Sequence, residues 1–186
     1  MNNTQEQIVK LGRDFIQTFG YNSFSFKQIA DVLNIKNAAI HHYYPTKEDL
    51  GLAVIEKDKS DFMALAKALQ VASPTEKTNA IINLYRNYYN DGKKLCMIST
   101  CGSIFEQLSP KMQSATREHL DTIYSWLEEV FQKGADTKEF HFSETAKEMS
   151  TRWIANLPGA LITGRIRGRE YLENSLNQLS ASLNTK

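Results

Sequence analysis

Apolar residues recur at helical spacing along most of the chain, and residues that favour turns separate the apolar runs. In the first run, Ile8, Phe15 and Phe19 share one face, which predicts a helix over about residues 4–19 that Gly20 ends. No segment shows the sustained alternation of apolar and polar residues that is typical of a half-buried strand. The pattern therefore predicts an all-α protein of about nine helices.

The next stretch predicts two short helices separated by a turn. Ser25 and Gln28 have the spacing of a capping box, which opens the first of these helices. The segment Asn34–Lys36 predicts the turn, and Asn37 is a good N-cap for a second helix that Pro45 ends. Helix, short turn and helix are together the layout of a helix-turn-helix unit, which can read DNA. The other interpretation at this point is a plain three-helix core with a polar surface.

Longer helices follow this unit. Ser73 and Pro74 open one of them, and Gly134 is the predicted end of another. The last two helices are predicted over about residues 143–167 and 169–183. We therefore expect two domains: an N-terminal three-helix head over 1–50, and a larger helical bundle over 51–186.

Composition and charge limit the partners. The 186 residues carry a net charge of +1, so any positive surface for nucleic acid must be local. A modest local excess exists between residues 25 and 47, where Lys27, Lys36 and Lys47 face a single anion, Asp31. No apolar run approaches the roughly 20 residues that span a bilayer, and the N-terminus lacks the apolar core of a signal peptide. We expect a cytoplasmic protein without a membrane partner.

Ile40 and Tyr44 lie four residues apart on the second short helix and can point inward, which leaves small and polar side chains on its outer face. Small residues allow a helix to approach base edges closely, and alanine methyl groups can pack on a thymine methyl. Histidines can bond phosphates or bases, while flanking lysines and a serine at a helix N-terminus suit phosphates. The predicted DNA-binding residues are Ser25, Lys36, Asn37, Ala38, Ala39, His41, His42, Tyr43 and Lys47.

Several positions in this stretch agree in register with a known family. These are Gly20, Ser25, the pair Ile29–Ala30, the run His41–Tyr44 and the segment Pro45–Leu50. In this arrangement the sequence, over roughly residues 8–55, resembles the TetR/AcrR family of transcriptional repressors. The resemblance implies a two-fold homodimer on a palindromic operator in double-stranded DNA, released by a small-molecule effector. It also implies that 1–50 is the DNA-binding domain and that 51–186 is the ligand-binding and dimerisation domain. Two departures stand out: the usual tyrosine of the recognition helix is His41, and the usual closing phenylalanine is Tyr44.

The region after residue 50 is rich in aromatic and sulfur-containing side chains. As a group they could line an apolar effector pocket, although for each one a place in the hydrophobic core is the other interpretation. The candidate pocket residues are Phe62, Tyr85, Tyr88, Cys96, Cys101, Phe105, Trp126 and Trp153.

Cys96 and Cys101 are the two cysteines of the chain. The segment that they bracket resembles a cysteine–glycine segment of family members that sense electrophiles or oxidants, and Lys93 and Lys94 just before it would favour a reactive thiolate. The alternative is two small buried apolar side chains. Their spacing does not make a metal site. One alternative function is an enzyme using a cysteine nucleophile with His119 as base, but nothing in the sequence places these residues together. The other is a helical protein-interaction module without DNA binding, and the segment from Lys36 to Lys47 argues against it. We expect no catalytic residue, metal or cofactor.

The last two helices are the predicted homodimer interface. A narrow leucine stripe follows one face of the final helix, and small residues in the helix before it suit close packing against a partner. The small residues are Ala155, Gly159, Ala160 and Gly164, and the stripe is Leu172, Leu176, Leu179 and Leu183. Packing of the stripe within one chain is the alternative.

Overall fold

The computed structural model describes residues 3–184, and every regular element within that range is helical, as the sequence predicts. Short 3₁₀ turns lie at Tyr21–Ser23, Phe105–Gln107 and Ser182–Asn184. The nine α-helices of these residues are α1 (Asn3–Phe19), α2 (Phe26–Leu33), α3 (Asn37–Tyr43), α4 (Lys47–Ala68), α5 (Pro74–Asn90), α6 (Met97–Gly102), α7 (Pro110–Asp136), α8 (Ala146–Arg167) and α9 (Arg169–Ala181).

Reciprocal side-chain caps fix where several helices begin. The hydroxyl of Ser73 accepts a hydrogen bond from the backbone N–H of Glu76, whose carboxylate accepts one from the N–H of Ser73, and Pro74 is the first residue of α5. This confirms the predicted start. Thr145 and Glu148 form the same box at α8. These bonds satisfy N–H groups that have no partner inside the helix, so three adjacent residues determine each start locally.

Gly134 does not end α7, which continues to Asp136, so that prediction is wrong. Gly134 is buried, and a Cβ added to it would lie 2.1 Å from Cδ2 of Phe140. Because Gly134 has no side chain, the Phe140 ring can pack directly on the helix. A glycine that is needed for close packing does not by itself end a helix.

The chain forms two compact units, and neither is a continuous segment. One contains the chain up to Asp61 together with Met97–His119, and the other contains Phe62–Cys96 together with the chain from Leu120 onward. These units do not follow the predicted sequential division at residue 50. The assignment of DNA binding to 1–50, and of ligand binding and dimerisation to 51–186, is a statement about function and stays a prediction.

The first unit has one continuous apolar core beneath α2 and α3. Its fully buried side chains come from α1 to α4, α6 and the start of α7, and include Ile8, Ile16, Ile29, Ile40, Leu50, Ile55, Met97 and Met112. Gly51 permits one close approach, since a Cβ there would lie 2.8 Å from Cε of Met112 and 2.9 Å from the ring of Tyr21. The two short helices are thus held by packing as well as by their own hydrogen bonds.

A cluster of charged side chains lies beside this core. The Asp58 carboxylate contacts Nη2 of Arg13 at 2.5 Å and Nε2 of His119 at 2.8 Å. Nη1 of Arg13 reaches Asp61 at 2.7 Å, and Lys57 pairs with the same carboxylate. Asp58 and His119 are buried, so this cluster joins α1, α4 and α7 through groups removed from water.

The second unit has an aromatic and leucine-rich core. Trp153 is fully buried and its ring centroid lies 5.2 Å from that of Phe131. The leucine stripe of α9, predicted as part of the dimer interface, is buried within the protomer, where Cβ of Leu172 lies 3.0 Å from the Cβ position at Gly164. The alternative, packing of the stripe within one chain, is therefore the correct one. The apolar face of α9 packs against α8 and neighbouring helices in the same unit.

Candidate nucleic-acid interface

The turn between α2 and α3 depends on Asn34. This residue has φ 52° and ψ 45°, a left-handed conformation that asparagine tolerates better than most residues. Its N–H donates to the carbonyls of Ala30 and Asp31, and the N–H of Ile35 donates to that of Ala30 at 3.0 Å. The last carbonyls of the helix are satisfied, and three residues separate it from α3, as predicted.

The N-cap of α3 lies one residue before the predicted position. Lys36, not Asn37, is the N-cap, and its side chain makes no capping bond. The carbonyl of Lys36 accepts from the N–H of Ala39 at 2.8 Å, so Asn37 is already within the helix. The amide of Asn37 is exposed on the first turn.

Two faces of α3 have opposite exposure. Ile40 is fully buried and Tyr44, at the end of the helix, is 5% exposed, so both point inward as the sequence predicts. The other predicted DNA-binding positions of the helix lie outside this core: Asn37, Ala38, His41 and His42 are exposed, and Ala39 and Tyr43 are half-buried. The outward face therefore offers small and polar groups, which is what a helix in the major groove requires.

His41 is held at its exposed position by two neighbours. Its Nδ1 lies 3.2 Å from the carbonyl oxygen of Pro45, and its ring packs edge-on against Phe26, with 4.9 Å between centroids. His42 packs against the ring of Tyr43 at 5.4 Å. Of the two adjacent histidines, His41 is the one with a ring nitrogen bonded to the backbone of the described chain.

Lys47 is less free than a surface cation. Its Nζ donates to the carbonyl of Phe24 at 2.8 Å and lies 4.4 Å from the centre of the Phe24 ring and 5.0 Å from that of Tyr21. Partial burial lowers the pKa of Lys47 from its ordinary value. Lys36, in contrast, is exposed. The two lysines predicted to flank the recognition helix thus have different surroundings.

The capping groups at the start of α2 are engaged within the protein. Both the N–H and the hydroxyl of Ser25 lie within hydrogen-bond distance of Oε1 of Gln28, at 2.7 and 3.2 Å. A phosphate at Ser25 would have to compete with this carboxamide. Lys27, exposed on the first turn of the same helix, is a candidate phosphate contact that the predicted site omitted. The count of cations between residues 25 and 47 was the signal that could have identified it.

The predicted effector residues belong to both compact units. Phe62 and Trp126 pack edge-to-face at 5.6 Å, and Tyr85 and Tyr88 at 5.8 Å. With Cys96 and Trp153, these residues lie in the unit that contains α8 and α9. The remaining two, Cys101 and Phe105, pack in the unit that contains the short helices. Their use as an effector pocket stays a prediction.

Both cysteine side chains are buried: Cys96 is 5% exposed and Cys101 is 2% exposed. The lysines expected to favour a thiolate have other partners. Nζ of Lys94 pairs with Asp91 at 2.6 Å, and Nζ of Lys93 lies over the ring of Tyr89. These surroundings fit small buried side chains better than reactive thiolates.

The outer side of α8 and α9 has a groove of about 570 Å³ with small residues in its wall, among them Ala155 and Gly159. Three large apolar side chains on these two helices are exposed: Ile162 at 44%, Ile166 at 78% and Tyr171 at 47%. Of the other small residues expected at a dimer interface, Ala160 and Gly164 are buried. An exposed apolar face on a helix pair is typical of a surface that meets another protein.

Two kinds of site are absent from the described residues. Between residues 3 and 184, no group of three or more histidine, cysteine or acidic side chains is placed to hold a metal ion. Over the same residues, no helix combines the length and the apolar character needed to cross a bilayer.

Comparison with known proteins agrees with the geometry of the short helices. A profile described as "Bacterial regulatory proteins, tetR family" matches residues 8–54. The chain is 30% identical to a TetR transcriptional regulator of solved structure from Legionella pneumophila, over 99% of both chains and with a TM-score of 0.86. A TetR-family regulator from Agrobacterium tumefaciens is 24% identical, with 98% of each chain covered and a TM-score of 0.91.

A curated relative is more distant. The HTH-type transcriptional regulator RutR of Escherichia coli O157:H7 is 22% identical over 130 residues, which are 66% of this chain and 61% of RutR. The chain thus spans about three fifths of the length of the curated relatives it matches.

Proposed function

Because the chain belongs to the TetR family of bacterial transcription regulators, and is thus a DNA-binding regulator and not an enzyme, we propose that it is a homodimeric repressor. In this proposal it occupies a palindromic operator in the cytoplasm and leaves the operator when a small molecule binds. The observation that carries the proposal is the outward face of α3, where Asn37, Ala38, His41 and His42 are exposed above a buried Ile40.

The proposed DNA-binding surface combines α3, as the recognition helix, with nearby cations. Ala38 brings the helix backbone near base edges, and the polar side chains beside it contact bases or the backbone. Lys27 and Lys36 are exposed and neutralise phosphates on either side of the helix. Since the net charge is only +1, this local charge supplies the electrostatic attraction.

The proposed dimer uses the outer face of α8 and α9. Ala155 and Gly159 would let a partner helix approach closely, and Ile162, Ile166 and Tyr171 would become buried in the contact. A two-fold pair of protomers presents two α3 helices, so the operator has two half-sites separated by one helical turn of DNA or a multiple of it.

The proposed effector is an apolar small molecule with a hydrogen-bond acceptor. The aromatic residues of the second unit offer apolar contacts, and the indole N–H of Trp153 is buried without an acceptor among the described residues. An effector that favours a protomer geometry unable to span both half-sites must weaken DNA binding by the same factor by which DNA weakens effector binding. Such coupling is typically about 1–3 kcal/mol.

Selection of DNA by the purified protein tests the proposal. We expect the protein to enrich genomic fragments that share one palindrome, and to bind that palindrome with an affinity that falls as salt concentration rises. A competitor in which one half-site is scrambled should bind much more weakly. Failure to enrich any palindromic sequence would contradict the proposal.

Thiol modification is an alternative trigger for release. The burial of Cys96 and Cys101 argues against direct attack, because a reagent would need a local opening of the structure. The test is operator release by an electrophile such as N-ethylmaleimide in the wild type and in Cys96→Ser and Cys101→Ser. Release that is lost in either variant would establish a thiol trigger, and release that is unchanged in both would exclude it.

A further inference from the structure

We propose that His41 is a specificity-determining residue that presents a fixed hydrogen-bond acceptor to the major groove and selects a base carrying an exocyclic amino group. This inference rests on the proposed function, since it assumes that α3 enters the major groove. It concerns which base is selected at one position of each half-site.

The backbone contact of His41 determines its tautomer. Its Nδ1 lies 3.2 Å from the Pro45 carbonyl oxygen, and a carbonyl has no proton to give. Nδ1 must therefore carry the hydrogen and donate it. In a neutral imidazole only one nitrogen is protonated, so Nε2 has a lone pair and acts as an acceptor.

The ring is also fixed in position. Phe26 packs against it with 4.9 Å between centroids and 65° between ring planes, and Phe26 itself is 9% exposed in the apolar core. Nε2 of His41 has no hydrogen-bond partner among the described residues, and the side chain is exposed. A rigid side chain with an open acceptor is suited to a contact with a partner, because little conformational entropy remains to be lost on binding.

A phosphate is a poor partner for this nitrogen. Phosphate oxygens are acceptors, so they cannot bond an unprotonated Nε2. A base edge can, because adenine N6 and cytosine N4 carry donor hydrogens in the major groove, whereas guanine O6 and thymine O4 are acceptors. His41 lies one helical turn beyond Asn37 and Ala38, on the same outward face that is expected to meet the bases.

The chemical consequence is a distinction between amino and keto bases. Every base pair has one amino base and one keto base, so the acceptor distinguishes the two strand orientations of a pair and favours adenine or cytosine on the contacted strand. One hydrogen bond of about 1 kcal/mol corresponds to a preference of about fivefold at that position. His141, an exposed histidine between α7 and α8 that is outside the predicted DNA-binding residues, is the matched control.

The tautomer is measured first, in the free protein at pH 8, where imidazole side chains in water are neutral. Long-range ¹H–¹⁵N correlation spectra distinguish the two ring nitrogens, and through-bond assignment identifies His41 among the four histidines. We expect the Nδ1–H tautomer at His41. The Nε2–H tautomer, or a mixture of both, would overturn the proposal.

Base preference is measured next, by selection from a randomised operator with wild type, His41→Gln and His141→Gln at pH 8. A glutamine amide can rotate to donate or to accept, so His41→Gln should reduce an amino-base preference of about fivefold to less than about twofold at one position per half-site. His141→Gln should leave that preference unchanged.

Two outcomes would overturn the role of His41. One is a His41→Gln variant with the wild-type base preferences. The other is a His41→Gln variant whose affinity falls by the same factor for all sequences and depends less on salt, which is the result expected of a phosphate contact. If the wild type enriches no palindrome, the proposed function is wrong. The tautomer measurement needs no DNA, so it tests the geometry of His41 separately. Thermal unfolding of each variant checks that its fold is retained.

Discussion

At the scale of single residues, the two lysines that flank α3, Lys36 and Lys47, have different surroundings. Lys47 donates a hydrogen bond to the Phe24 carbonyl and lies over two aromatic rings, while Lys36 is exposed. An ammonium group has three donors, so Lys47 can keep its bond to the Phe24 carbonyl and still donate a hydrogen bond to a phosphate. Lys36 has no comparable contact to lose within the described chain.

We expect Lys47→Ala to lower the free energy of unfolding by about 1–2 kcal/mol, because it removes a hydrogen bond and cation–π contacts. It should also weaken DNA binding and reduce the salt dependence of the affinity. Lys36→Ala should reduce the slope of log affinity against log salt by about 1, with a change in stability below about 0.5 kcal/mol. Urea unfolding and salt titrations measure both quantities. A Lys47→Ala protein with the wild-type salt slope would remove Lys47 from the DNA contacts.

At the scale of helices, the buried charges join α1, α4 and α7. Asp58 contacts Arg13 and His119, and both Asp58 and His119 are buried. Lys57 pairs with Asp61 one helical turn away on the surface of α4. A buried charge that loses its partner is costly, whereas an exposed pair contributes little.

We expect Arg13→Met to destabilise the protein by about 2–4 kcal/mol, because it leaves the Asp58 carboxylate buried with His119 as its remaining partner in the cluster. Methionine retains an apolar stem of similar length, so the change tests the charge rather than the packing. Lys57→Met is the control and should cost less than about 0.5 kcal/mol. Denaturant midpoints measure both, and equal small effects would show that the cluster does not stabilise the helix contacts.

At the scale of the whole molecule, the proposed mechanism requires two protomers. The leucine stripe of α9 is buried inside the protomer, and the partner surface that we propose is the outer face around Gly159, Ile162 and Ile166. Val71, which is 99% exposed between α4 and α5, is an apolar residue outside this face and serves as its control.

We expect Ile166→Glu to convert the dimer into a monomer, because a carboxylate would be placed in an apolar contact. The affinity for the full palindrome should fall toward that of one half-site. Light scattering and DNA titration measure these effects. Since Ile166 is 78% exposed in the protomer, the helical content should not change. Val71→Glu should leave both mass and affinity unchanged. A dimer that persists in Ile166→Glu would move the interface elsewhere.

Local sequence determined most of the secondary structure of this chain. The Ser25 and Ser73 capping boxes, the Asn34 turn and the inward positions of Ile40 and Tyr44 were all predicted, and the structure confirms them. Each depends on residues within about one or two turns of one another, because helix caps and helical faces are set by neighbours along the chain. The register of such features also made the family resemblance visible.

Tertiary structure decided how individual side chains are used. Gly134 accommodates Phe140 instead of ending α7, Lys47 bonds Phe24 from 23 residues away, and the α9 leucines face their own protomer. It also placed His41 between the Phe26 ring and the Pro45 carbonyl, although the sequence had already marked that histidine as unusual. The sequence pattern identifies which side chains are apolar or charged, but their partners depend on how distant helices pack, and that packing exists only in the folded chain.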